Sequence, residues 1–143
     1  MSGEKECFRT KNGEGPDGLS PLVLAYMGDA VYEVLVRRWV LRQGNAPVDK
    51  LNSQSRALVK ASGQRAFYER ICTALTQQEK AVFQRGRNAK SHTVAKHASV
   101  ADYRIATGVE ALFGYLYLMG EEERAEALFS LGLPQQNEKG KEE

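Results

Sequence analysis

The sequence predicts an all-α fold, and two observations carry that expectation. Every segment with a clear hydrophobic period repeats at three- and four-residue spacings, and no alternating apolar and polar run is long enough to make a strand. Residues that start and stop helices also fall at the ends of these segments. With 143 residues and 42% hydrophobic content, the chain suits one core, because chains of this size bury roughly 70% of their unfolded surface. No internal repeat or linker interrupts it.

Residues 1–18 (MSGEKECFRTKNGEGPDG) are polar and aperiodic and are expected to be a flexible leader. Ser20 then offers an N-cap and Pro21 a first helical residue, and Gly44 gives a stop, predicting a long helix over Pro21–Gln43. A second helix is expected over Asp49–Ala61, stopped near Gly63, and a third over Gln64–Leu75. Thr76-Gln77-Gln78-Glu79 has the form of a capping box for a fourth, running towards Arg85. Ser99 caps a fifth over Val100–Met119, with Gly120 as its C-terminal signal, and a sixth spans Glu121–Leu131 and ends at Gly132. The folded unit is therefore placed at residues 19–133, with a flexible tail over 134–143.

Several function classes are set aside by composition. A net charge of +2 gives no whole-chain attraction to nucleic acid or membrane. Cys7 and Cys72 form no CxxC pair, and His92 and His97 have no companions at zinc spacing. No signal-peptide core is present, and no apolar run approaches the roughly 20 residues needed to span a bilayer. The expectation is a cytoplasmic protein without a membrane partner.

Two acids stand out on apolar helical stripes. On a helical wheel Asp29 falls with Leu22, Ala25, Tyr26 and Val36, and Glu110 falls with Tyr103, Ala106, Phe113 and Tyr117. Burying an ionised carboxylate costs several kcal/mol unless a cation or hydrogen-bond donors offset it. Neither stripe contains Lys or Arg, so a hard divalent cation such as Mg²⁺ is one partner, and the other reading is that the two are rim acids or hydrogen-bonded core acids. Gly28 beside Asp29, and Gly108 and Gly114 around Glu110, suggest close approach of backbones or of a ligand. Glu33, one turn beyond Asp29, is either a further ligand or an ion-paired surface acid.

Between Lys80 and Ala101 there is no Asp or Glu, while Arg85, Arg87, Lys90 and Lys96 are joined by Asn88, Ser91, His92, Thr93 and His97. Such a run is either a solvated basic surface or a place where cations neutralise phosphates and amides or hydroxyls bond the sugar-phosphate backbone. The absence of interleaved aromatics favours a duplex over stacked single-stranded bases.

The segment Leu24-Ala25-Tyr26-Met27-Gly28-Asp29-Ala30-Val31 resembles the signature helix of the ribonuclease III family, and Thr107-Gly108-Val109-Glu110-Ala111-Leu112-Phe113-Gly114 resembles its second catalytic helix. Their order and separation, with Arg85-Gly86-Arg87-Asn88-Ala89-Lys90 between, extend the resemblance over about Leu19–Leu133, closest to the Mini-ribonuclease III subgroup, which consists of the nuclease domain alone. The resemblance implies a helical, homodimeric, Mg²⁺-dependent endoribonuclease of double-stranded RNA that matures the large-subunit ribosomal RNA precursor. A large-subunit ribosomal protein that shapes the substrate is a candidate further partner.

By the same resemblance Asp29 and Glu110 are the catalytic, metal-binding carboxylates, while Ala25 and Thr107 replace two acids that larger family members carry. Arg85, Arg87, Asn88, Lys90 and Lys96 become RNA-positioning residues. The missing acids leave open a catalytically silent RNA-binding or ribosome-assembly module. A second alternative rests on Glu122-Glu123-Arg124-Ala125-Glu126, which fits the EExxE pattern of all-α nucleotide pyrophosphohydrolases but equally a helix N-terminus enriched in acids. Dimerisation has one physical hint: Val31, Tyr32, Val34, Leu35 and Trp39 cover more of the first helix than one core face needs.

Overall fold

A computed structural model describes residues 7–90 and 99–134, and these are helical throughout their regular parts, with no strand among them. Six α-helices follow in order: α1 (Pro21–Arg42), α2 (Val48–Val59), α3 (Ala61–Ile71), α4 (Gln77–Asn88), α5 (Val100–Leu118) and α6 (Glu122–Gly132). The expected caps are in place. Ser20 accepts from the Val23 N–H, Ser99 from the Asp102 N–H, and Thr76 and Glu79 close a reciprocal capping box. Gly120, at φ 79°, ends α5 in the left-handed region, where its N–H donates to the Tyr117 carbonyl at 3.0 Å.

The second and third helices divide differently from the expected pattern. The break falls at Lys60, whose ψ of 160° is extended, and Gly63 lies inside the first turn of α3. Gly63 does not stop a helix. A Cβ there would overlap the Ala57 carbonyl, so glycine lets the start of α3 press against the end of α2. At the other end α3 stops at Ile71 and a short 3-10 turn covers Cys72–Ala74. The fourth helix continues past Arg85 to Asn88.

Helix α5 is the central element, enclosed by α1, α3, α4 and α6. From Ala106 to Leu116 every residue except Glu110 is buried. Beside it Tyr32 packs edge-on against Phe67, Phe113 and Phe129, with ring centroids 5.3–5.9 Å apart. Two glycine contacts set how closely the neighbouring helices approach α5. Gly28 of α1 meets Gly114, and Cβ atoms at either would overlap the opposite backbone, at Glu110 and Leu24 respectively. Gly86 of α4 meets Gly108, and a Cβ on Gly86 would lie 3.1 Å from the Gly108 Cα.

Of the expected flexible leader, residues 7–18 are described and they are docked. The Phe8 N–H donates to the Leu118 carbonyl at 3.1 Å, a turn over Thr10–Glu14 closes on itself, and Pro16 is buried. These are backbone and local polar contacts, which leave no hydrophobic period to read. Residues 1–6, 91–98 and 135–143 lie outside the described residues, and with them Lys96, Ser91, His92, Thr93, His97 and almost all of the expected tail. Among the described residues no helix is long and apolar enough to cross a membrane.

The crossing of α1 and α5 yields a stability test. Gly28→Ala gains about 1 kcal/mol of helix propensity but forces a methyl group into the Glu110 backbone. A net loss of about 4 kcal/mol or more is expected by urea denaturation, because rigid backbone, not a movable side chain, is in the way. A loss below about 1 kcal/mol would show that the helices can separate at no great cost.

Candidate active site

Asp29 follows Gly28 directly, and Glu110 is the residue whose carbonyl Gly28 touches, so the glycine crossing brings the two acids to one place. Their settings differ. Glu110 faces inward as expected and is largely enclosed. Asp29 is exposed, and so are its expected stripe companions Leu22 and Tyr26, the latter at 81%. The buried row of α1 is instead Leu24, Gly28, Tyr32, Val36 and Val40, at strict four-residue spacing, with Ala25 beside it. Helix α1 carries a second, solvent-facing apolar surface, and a wheel that sums both faces misplaces Asp29 among core residues.

Burial pushes the Glu110 carboxyl up to about 7, and the nearby Asp29 charge adds to the rise while a hydrogen bond from Gln64 opposes it. Asp29 is also raised, first by partial burial and then by Glu33. Glu33 itself pairs with Arg37 at 2.8 Å across one helical turn, so it is an ion-paired surface acid. No described residue bonds or pairs with the Asp29 carboxylate.

Gln64, which the sequence pattern does not single out, is buried at 3% exposure, and its Nε2 donates to Glu110 Oε2 at 3.2 Å and to the Val59 carbonyl at 2.9 Å. The available signal is its place in the buried row of α3 with Phe67 and Ile71. Ala25 is buried, and Thr107 is buried with its hydroxyl donating to the Tyr103 carbonyl at 3.0 Å. Neither offers a carboxylate.

The donor set fits a hard cation. One carboxylate is exposed without a described partner and the other is enclosed at an electrostatic cost that a positive charge would relieve. Among the described residues no third Asp, Glu, His or Cys joins them as a metal-holding group. Two protein carboxylates with several waters is a ligand pattern typical of Mg²⁺ rather than of a caged structural ion.

The Gly86–Gly108 contact sets the last turn of α4 beside the same stretch of α5. Arg85, Arg87 and Asn88 lie exposed on that turn, with Lys90 just beyond it, and Arg87 Nε donates to Asn88 Oδ1 at 3.2 Å. The 122–126 segment is occupied differently. Arg124 grips both oxygens of Glu79 at 2.8 Å, holding that carboxyl below its usual range and joining α6 to α4, while Glu126 pairs with Arg38 at 3.1 Å.

A pH test of the site follows. Glu110 has an ordinary value of 4.5 and a folded value of about 7, so the folded state holds the proton more tightly. Its burial then costs nothing below 4.5, destabilises progressively as pH rises to 7, and is fully unfavourable above. In metal-free protein at pH 8, Glu110→Gln is expected to stabilise by up to about 3 kcal/mol in denaturant melts, with the gain vanishing at pH 4. Destabilisation at pH 8 would contradict the enclosed carboxylate.

Comparison with known proteins agrees with this architecture. The Ribonuclease III domain family matches residues 22–121, which include both acids and the basic turn. The chain is 47% identical over 133 residues to Mini-ribonuclease 3 of a Thermoanaerobacter species, covering 93% of this chain and 94% of that protein. It is also 47% identical over 114 residues to Mini-ribonuclease 3 of Clostridium tetani, covering 79% and 76% respectively. A crystal structure of a Fusobacterium nucleatum protein superposes with a TM-score of 0.73 at 32% identity, covering 80% of this chain and 91% of that one. With most of its length matched in sequence and fold, the chain belongs to the ribonuclease III family, in its Mini-ribonuclease 3 group, and is a double-strand-specific endoribonuclease.

Proposed function

We propose that this chain is a cytoplasmic, homodimeric, Mg²⁺-dependent ribonuclease that matures the large-subunit (23S) ribosomal RNA precursor, with residues 19–133 as its catalytic domain. The observation that carries the chemistry is the meeting of Asp29 and Glu110 at the Gly28–Gly114 contact. The choice of RNA rests on the likeness to the Mini-ribonuclease 3 proteins. A large-subunit ribosomal protein is a candidate for shaping that substrate.

Asp29 and Glu110 would hold the metal, which when bound supplies Lewis acidity towards the scissile phosphate and its attacking water. The chain's own part is to place the two carboxylates and to hold the duplex. Arg85, Arg87 and Lys90, with Lys96 beyond the described residues, would neutralise phosphates, and Asn88 would bond a phosphate or ribose oxygen. Family members with fewer acids need more water in the metal's shell, and the closed positions at Ala25 and Thr107 accord with that.

The dimer reading is supported by the exposed apolar surface of α1. Val23, Met27, Ala30 and Val34 recur at helical spacing on it, with Tyr26 alongside. A groove of about 340 Å³ opens there, floored by Val31, Leu35 and Tyr117 and rimmed by Arg38, Glu122 and Glu126. A stable monomer gains nothing from keeping such a surface in water.

The test is cleavage of two labelled duplexes, one of generic sequence and one carrying the processing stem of the large-subunit precursor, with Mg²⁺ or EDTA. Cutting in Mg²⁺ alone is expected, with rates lowered at least ~100-fold in Asp29→Asn and Glu110→Gln, an order of magnitude set by the charge stabilisation removed. The same protein should sediment as a dimer at micromolar concentration. Tight binding without cutting of either duplex, or a monomer, would overturn the corresponding part of the proposal.

A further inference from the structure

Helix α2 ends between α1 and the start of α3. Its last carbonyls have no partner within the helix, and two side chains take them. Tyr32, three residues after Asp29 on α1, donates its hydroxyl to the Leu58 carbonyl at 2.9 Å. Gln64, from the first turn of α3, donates Nε2 to the Val59 carbonyl and, with its other proton, to Glu110 Oε2. The glycine at 63 permits the close fit that puts Gln64 there.

The orientation of the Gln64 amide follows from its neighbours. Turned over, its oxygen would face the Val59 carbonyl and the Glu110 carboxylate, two acceptors, so the donor end must point at them. That orientation leaves Gln64 Oε1 buried with no partner among the described residues. A residue serving only to fill space between α2 and α3 gives no reason to retain an unsatisfied buried oxygen, whereas a residue that must hold a carboxylate does. Among the described residues no other side chain donates to Glu110.

We propose that Gln64 is a positioning residue for the metal site: it pins Glu110 Oε2 to the end of α2 and so leaves Glu110 Oε1 as the oxygen presented to Mg²⁺. The proposal rests on the reading of Glu110 as a metal-holding carboxylate. Residues that orient a ligand in this way affect metal affinity by about 10- to 100-fold when replaced.

The experiment is Mg²⁺ binding to the full-length protein by calorimetry without RNA, together with the Mg²⁺ dependence of cleavage. In Gln64→Met the Mg²⁺ Kd and the half-saturating Mg²⁺ for cleavage should rise together by about 10-fold or more, with the KM for RNA unchanged at saturating metal. Tyr32→Phe removes the neighbouring bond to α2 and should leave the Mg²⁺ Kd as in the unmodified protein. Unchanged Mg²⁺ binding in Gln64→Met, or equal weakening in Gln64→Met and Tyr32→Phe, would reduce Gln64 to a strut and overturn the proposal. Should Gln64→Met fail to fold, Gln64→Asn, which keeps the amide on a shorter stem, is expected to weaken Mg²⁺ in the same sense, and unchanged binding there would equally overturn it. Glu110→Gln separates the two readings. If that variant alone binds Mg²⁺ normally, the assignment of Glu110 is at fault; if it loses binding and Gln64→Met does not, only the role of Gln64 is.

Discussion

The contact of Gly28 with Gly114 is the constraint on which the rest of the molecule depends. It lets α1 and α5 touch backbone to backbone, and no residue with a Cβ fits at either position without moving one helix. Close packing of this kind sacrifices helix propensity at two interior positions, about 1 kcal/mol each. What it yields is a fixed distance between the residues on either side. Asp29 is the next residue after Gly28, and Glu110 stands one turn before Gly114, so both acids inherit their placement from the crossing. The Gly86–Gly108 contact does the same for α4 and sets Arg85 and Arg87 beside the same part of α5.

Electrostatics then works against the fold at one point and for it at others. Enclosing Glu110 near another carboxylate disfavours its ionised form, and the protein offers one amide donor in return. A site left in deficit of positive charge is poised to gain from a cation, which links stability to metal binding. Several other acids are matched within the chain. Glu79 is buried but held by Arg124 and by the cap at Thr76, and Glu33 and Glu126 pair with Arg37 and Arg38. Asp29 and Glu110 thus differ from these ion-paired acids in having no cationic partner among the described residues, a difference that sequence context does not display.

Much of the architecture is legible from periodicity and caps, because the helix ends at Ser20, Thr76, Ser99 and Gly120 are set by local chemistry that a sequence displays. Glu110 is legible for a related reason: α5 is apolar and buried nearly all round between Ala106 and Leu116, so an acid within that stretch must face an interior. Asp29 is legible as an acid among apolar residues, but not the surface it stands on. Helix α1 is apolar on a core face and again on an exposed face, and periodicity alone cannot tell one from the other. Gln64 escapes notice because it opens the expected third helix, where a polar residue reads as an exposed start; α3 in fact begins at Ala61 and carries Gln64 in the buried row with Phe67 and Ile71. The docked leader is hidden because backbone hydrogen bonds leave no mark on hydrophobicity.

The central claim is that one crossing makes a metal site from two carboxylates on different helices. Its most direct test is a crystal soaked in Mn²⁺ and measured for anomalous scattering. A peak bridging Asp29 and Glu110 is expected, and it should be absent from crystals of Asp29→Asn grown in the same form. Manganese bound elsewhere, or bound between these residues regardless of that substitution, would contradict the account.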